Sequence, residues 1–207
     1  KKKFVGFAGH WLSRSQDGGI TWDEDKNPAI PSKLTTCIPY GRIVSLGPKL
    51  LAYSCYRSQG RGNPSESWVC FSEDDGWTWK KYYKLGNNDS NEVALCPLPQ
   101  GKLLAAVRTH VDHHLKTEEF SLNTRRWKST GDVSLPMQHP ADLIQVGSNC
   151  ILMTYGLRNR GLMGFAARIS LDKGNTWLPP WTLHQCGERA SDVGYPSNLE
   201  KKTNLAK

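Results

Sequence analysis

The chain has 207 residues, of which 38% are hydrophobic and 22% charged, and its net charge is +8. That length allows one sizeable core or two small ones, and the composition excludes a disordered polymer. No apolar run is long enough for a membrane-spanning helix, so no membrane span is expected.

In chain order, Lys1-Lys2-Lys3-Phe4 carries no Met and opens no long apolar stretch. It reads as an internal or processed end, not a signal peptide. Then comes Ser15-Gln16-Asp17-Gly18-Gly19-Ile20-Thr21-Trp22. Its pattern, S-x-D-x-G-x-T-W, returns as Ser72-Glu73-Asp74-Asp75-Gly76-Trp77-Thr78-Trp79 and as Ser170-Leu171-Asp172-Lys173-Gly174-Asn175-Thr176-Trp177. A decayed copy, one residue short, runs from Ser121 to Trp127. The copies begin at 15, 72, 121 and 170, so successive spacings are 57, 49 and 49 residues.

Strand-like stretches fill the intervals. Arg42–Leu46 and Leu50–Ser54 read as a hairpin, Trp68–Phe71 leads into the second octapeptide, and Lys81–Tyr83 leaves it. The next interval has Val93–Leu95, a turn around Pro99-Gln100-Gly101, then Leu103–Val107. The third has Asp142–Val146, a Gly147-Ser148-Asn149 turn, and Ile151–Tyr155. A last inner strand is expected around Gly194-Tyr195. No stretch has the periodicity of an amphipathic helix.

The octapeptide is built to turn, not to react. Ser and Asp side chains bond to nearby backbone, Gly supplies a positive φ, Thr favours the outgoing strand and Trp packs over the hairpin. Its acidic positions are too few for a calcium loop. A period near 50 residues with four strands per unit is that of a β-propeller. Whole blades are expected at 33–86, 87–136 and 137–187, with partial ones at 1–32 and 188–207.

The remaining residue types narrow the chemistry. Cys37, Cys55, Cys70, Cys96, Cys150 and Cys186 show no C-x-x-C spacing, so no zinc site is expected. Cys55, Cys70, Cys96 and Cys150 fall in or beside strands and read as buried free thiols, although a Cys55–Cys70 disulfide stays open. The run His110-Val111-Asp112-His113-His114 reads as a solvated loop, since no carboxylate cluster accompanies it. The basic residues are dispersed, with tight clusters only at the two ends, which argues against a nucleic-acid stripe. An anionic-polymer binder rests on the charge alone.

The S-x-D-x-G-x-T-W repeats are Asp boxes, and with them the whole chain resembles the sialidase (exo-α-neuraminidase) superfamily. The resemblance implies an all-β, six-bladed propeller, of which this chain supplies about three whole blades and two partial ones. It also implies site residues. Sialidases carry an Asn-Glu pair at the start of an inner strand and an Arg near the end of the next strand; Asn91-Glu92 and Arg108 match, 16 residues apart. A second Arg precedes the strand that enters a later Asp box, for which Arg160 is the choice and Arg158 the alternative. A Gly-Tyr-Ser-like strand carries the catalytic Tyr, and Gly194-Tyr195-Pro196-Ser197 is similar, with Pro196 departing from the commonest form. His139 and Asp142, opening another inner strand, are secondary pocket candidates.

The implied reaction is release of terminal sialic acid from a sialylated or other acidic glycan. Tyr195 would be the nucleophile, Glu92 its base, and Arg108 and Arg160 the anchors of the substrate carboxylate. A Tyr suits a sugar whose anomeric carbon carries a carboxylate, because an anionic nucleophile would be repelled. Arginines suit that carboxylate through their planar fork. No cofactor or metal is implied, and a secreted or periplasmic home follows only from family habit. Two family elements, a Phe-Arg-Ile-Pro motif and an acid/base Asp before the first Asp box, are not in this sequence. Their lack favours the alternative, a non-catalytic Asp-box propeller that binds glycan or protein. The oligomeric state is not legible.

Overall fold

The computed structural model describes residues 10–25, 29–58, 64–86, 89–187 and 190–199. Strands β1 (Leu12–Arg14) and β2 (Asp23–Asp25) pair around the first Asp box. A first four-stranded sheet holds β3 (Ile38–Gly47), β4 (Leu50–Arg57), β5 (Glu66–Ser72) and β6 (Lys81–Lys84). A second holds β7 (Ser90–Leu98), β8 (Lys102–Thr109), β9 (Leu115–Ser121) and β10 (Arg126–Asp132). A third holds β11 (Gln138–Gln145), β12 (Ile151–Leu157), β13 (Gly164–Ser170) and β14 (Trp181–Gln185). Each sheet is an antiparallel meander in chain order. The fold is all-β, a stretch of propeller with three four-stranded blades and one further hairpin.

The blades stack through their faces. β7 lies between β3 and β11, and its residues alternate between two cores. Val93 and Leu95 join Val69, Phe71, Leu103 and Phe120, in the core shared by the first and second blades. Ala94 and Cys96 join Leu104, Leu143, Met153 and Tyr155, in the core shared by the second and third. Covered on both sides, β7 is buried almost throughout. A third core on the far face of the first blade gathers Leu34, Tyr53, Trp68 and Trp79 around three thiols. Each fully buried large side chain stabilises by about 2–3 kcal/mol relative to exposure.

The Asp boxes do what their residues dictate. In the second box Asp74 accepts from the Thr78 amide (2.8 Å) and hydroxyl (2.6 Å), and Ser72 Oγ accepts from the Gly76 amide (2.7 Å). Asp17 and Asp172 repeat the pattern with Thr21 and Thr176. Gly76 and Gly174 sit at φ +84° and +92°, where a side chain is strained. In the decayed copy Arg125 takes the positive φ (56°), while Trp127 still packs on Phe120 at 5.0 Å.

Two expectations are adjusted. All six cysteines are free thiols; Cys55 and Cys70 approach to 3.8 Å between sulfurs without bonding, and Cys150 is only half-buried. Residues 190–199 form no ladder. Instead of an inner strand at Gly194-Tyr195, this segment is tied down by side chains from β3, β11 and β12 and from the turn after β12.

Candidate active site at the propeller axis

Each inner strand breaks register near its start. The breaks lie between Tyr40 and Val44 in β3, Ser90 and Val93 in β7, and Gln138 and Ala141 in β11. A bulge unpairs residues and re-aims their side chains. Arg42, Asn91-Glu92 and His139 occupy these bulges, at corresponding places in three repeats. They therefore converge on the axis.

Glu92 is 6% exposed. Its Oε2 accepts from Arg108 of β8, and its Oε1 accepts from Tyr195 Oη at 2.8 Å. The expectation that Tyr195 and Glu92 lie within hydrogen-bond reach is met across 103 positions of sequence. Tyr195 as a residue is 58% exposed, and its hydroxyl joins it to a buried carboxylate. Burial and the Glu92 carboxylate raise its pKa, which keeps the resting phenol neutral.

Arg158, not Arg160, reaches this cluster. Arg160 is exposed at the surface, because the turn after β12 points it outward. Arg158 donates from Nε to Asp192 (2.7 Å), from Nη2 to the Val193 carbonyl (2.7 Å), and from Nη1 to His139 Nδ1 (2.9 Å) and the His139 carbonyl. Its guanidinium lies 5.7 Å from the Tyr195 ring centre. Arg158 thus straps the 190–199 segment to β11. The Asp192 carboxyl is held below its ordinary range by that bond.

His139 is buried between Arg108 and Arg158, and desolvation with their charges pushes its pKa down to about 3. The ring is neutral, as accepting from Arg158 requires. His113 stacks on it with ring centres 5.3 Å apart, and burial and Arg108 lower its pKa too. The rest of that loop serves itself: His114 bonds Asp112 and Asp132, and Thr109 bonds Asp112. Among the described residues no three His, Cys, Asp or Glu side chains are grouped to hold a metal.

Asp142 pairs with Arg42 and accepts from the Asn198 amide at 2.6 Å. Arg42 Nη2 also donates to the Asn198 carbonyl (3.0 Å), and Thr154 Oγ1 donates to Asn198 Oδ1 (3.1 Å). Between these groups and Tyr195 lies a cleft of about 300 Å³, lined by Tyr40, Arg42, Asp142, Tyr195, Pro196 and Ser197. Tyr40, whose ring centre is 6.1 Å from that of Tyr195, has its pKa raised by burial and by Glu92. A neighbouring cavity, lined by His10, Trp11, Tyr53 and Trp79, shares Tyr40, Gly41 and Arg42 with this cleft. Sequence reasoning missed Tyr40, Arg42 and Asn198; superposing the starts of the three repeats would have exposed the first two.

A bulged-inner-strand cluster at the axis of Asp-box blades defines a propeller of the sialidase type. The model of the BNR repeat-like domain matches residues 3–205, and the chain belongs to that family. No curated protein matches it in sequence. Among solved structures, a protein of unknown function from Dyadobacter fermentans is similar at 22% identity and TM-score 0.66, over 86% of this chain and 53% of that one. A Hadza microbial sialidase is similar at 16% identity and TM-score 0.61, over 82% of this chain and 39% of that one. An α-L-arabinofuranosidase of Fusarium graminearum is similar at 16% identity and TM-score 0.51, over 70% of this chain and 48% of that one. At such identities the likeness is one of fold, a glycosidase-like BNR propeller. The chain spans about half, or less, of the length of these structures.

Proposed function

We propose that this protein is a retaining, sialidase-like glycoside hydrolase that uses Tyr195 as its nucleophile. The reading rests on one contact, the 2.8 Å hydrogen bond from Tyr195 Oη to Glu92. Tyr195 Oη attacks the anomeric carbon, its proton passes to Glu92 Oε1, and the bond to the aglycone oxygen breaks. Water then attacks the anomeric carbon and displaces the Tyr195 oxygen, which takes back the proton held by Glu92. The proton lost by water passes to solvent and neutralises the departed aglycone oxygen. Arg108 orients Glu92 through its other oxygen and adds positive charge beside the reacting centre. A neutral phenol avoids the repulsion that a carboxylate nucleophile would meet from an acidic sugar. Protonation of the leaving oxygen needs an acid: Asp142 is engaged by Arg42 and Asn198, so an activated leaving group is the right first substrate.

The test is hydrolysis of a fluorogenic aryl sialoside, compared with Tyr195→Phe. Release that disappears in the variant supports the reading. Release that persists removes Tyr195 from the chemistry. No release from folded protein favours the second reading, a glycan-binding propeller, which is motivated by the engagement of Asp142.

A further inference from the structure

Cys37, Cys55 and Cys70 stand together in the core on the far face of the first blade. Strand register puts them in a row. Residues two apart on a strand share a face. Tyr53 pairs with Cys70 across β4 and β5, which sets Cys70 diagonally beside Cys55. Ile38 pairs with Tyr56, so Cys37, one position before it, faces Arg57 and lies diagonally beside Cys55 on the other side. The Cys55 and Cys70 sulfurs are 3.8 Å apart, and the Cys37 thiol also meets that of Cys55. None of the three lines the cleft beside Tyr195, and the proposed reaction does not use them.

The three thiols are not equivalent. Contact with Cys55 and the positive charge of Arg57 hold the Cys37 thiol below its ordinary pKa. Arg57 is fixed in place: it donates to the Lys33 carbonyl (2.6 Å) and lies over the Trp68 ring at 5.3 Å. The thiolate is the form that attacks a peroxide. Cys55 goes the other way, because its two thiol neighbours and burial raise its pKa and keep it protonated. Cys37 is also the best placed for entry of a small oxidant. It directly follows exposed Thr35 and Thr36, whereas Cys55 and Cys70 lie inside strands.

We propose that this row is a site of reversible oxidation by hydrogen peroxide, in which Cys37 is oxidised first and Cys55 closes a disulfide with it. The Cys37 thiolate attacks one peroxide oxygen and the O–O bond breaks. This gives a sulfenic acid and a hydroxide, which takes up the proton that Cys37 had lost and becomes water. Cys55 Sγ then attacks the sulfenic sulfur; the S–S bond forms, the S–O bond breaks, and the oxygen leaves as water with the Cys55 proton. Two thiols are oxidised by two electrons and one peroxide is reduced to two waters. A bridge between diagonal positions departs from relaxed disulfide geometry, which makes it readily reducible. Cys70 stays reduced, and the bridge clasps the start of β3 to β4.

The experiment treats Cys150→Ser/Cys186→Ser protein, which lacks the two half-buried thiols, with hydrogen peroxide near neutral pH. Free thiols are then blocked and tryptic peptides are mapped without reduction. Cleavage after Arg42 and Arg57 puts the three cysteines on three peptides. A link between the Cys37 and Cys55 peptides is expected, with Cys70 alkylated and the link undone by dithiothreitol. Arg57→Gln keeps all three sulfurs and should slow formation of the link about tenfold, by lowering the thiolate fraction of Cys37. Cys70→Ala should leave the link in place. The proposal is overturned if the folded protein yields no link, if Cys55 links to Cys70 instead, or if Arg57→Gln forms the link as fast as the parent.

Discussion

The Asp-box turns and the axial cluster are both carboxylates wrapped in hydrogen bonds, yet they are assembled differently. Asp74 finds every partner within four residues, from Ser72 to Thr78. Glu92 finds Arg108 16 residues away and Tyr195 103 residues away. The first kind of site closes while its own hairpin forms; the second exists only when three blades and the 190–199 segment have docked. The rim should therefore govern stability and the axis activity, and variants can break that separation.

The largest effect is expected at the axis. Tyr195→Phe or Glu92→Gln should lower aryl sialoside hydrolysis by about a thousandfold or more. For Tyr195→Phe the melting temperature should hardly move, since an exposed side chain is replaced by a ring of the same shape. Glu92→Gln also unpairs Arg108 and should lower it. A large loss of stability in Tyr195→Phe would instead show that the cluster is structural. Next comes the strap. Arg158→Met releases Asp192 and Val193, and displacement of Tyr195 by about 1 Å should reduce kcat by about tenfold to a hundredfold. Unchanged kcat would mean that the 190–199 segment is held by Arg42, Asp142 and Thr154 alone.

At the rim, Gly174→Ala puts a methyl group at φ +92° and within 2.6 Å of Leu104. Chemical denaturation should report about 1–3 kcal/mol less stability. Activity per folded molecule should be preserved, and its loss would couple rim and axis. The smallest effect is on acid tolerance. Asp74 has a folded pKa of about 2 against an ordinary 3.8, because Thr78 and Ser72 bond its carboxylate. Its contribution is complete above pH 3.8 and is lost as the pH falls towards 2. His139 acts higher: with a folded pKa of about 3 against 6.5, its unfolded form gains a proton first, so stability also declines below pH 6.5. Asp74→Asn should flatten the lower limb of a melting-temperature profile and leave the upper limb unchanged.

Residue types explain why the halves of the site differed in legibility. Glu92 and Arg108 were matched through the resemblance, and their spacing is a property of local strand geometry because β7 and β8 form a hairpin. Tyr195 was legible only through resemblance, and Arg160 was preferred to Arg158 because the register of a turn is not written in its residues. Arg42 carried no motif at all. Its place follows from a bulge in β3, and a bulge depends on how the partner strand pairs.

The repeat, the four-stranded blades, the Asp-box turns and the all-β class were determined by the sequence alone, since each is a matter of contacts within a few dozen residues. The strap of Arg158, the pairing of Arg42 with Asp142, the neutral His139 between two arginines, and the docking of 190–199 without a ladder were decided by tertiary structure. These depend on side chains from different blades meeting in a buried space, where desolvation and charge set which contacts survive.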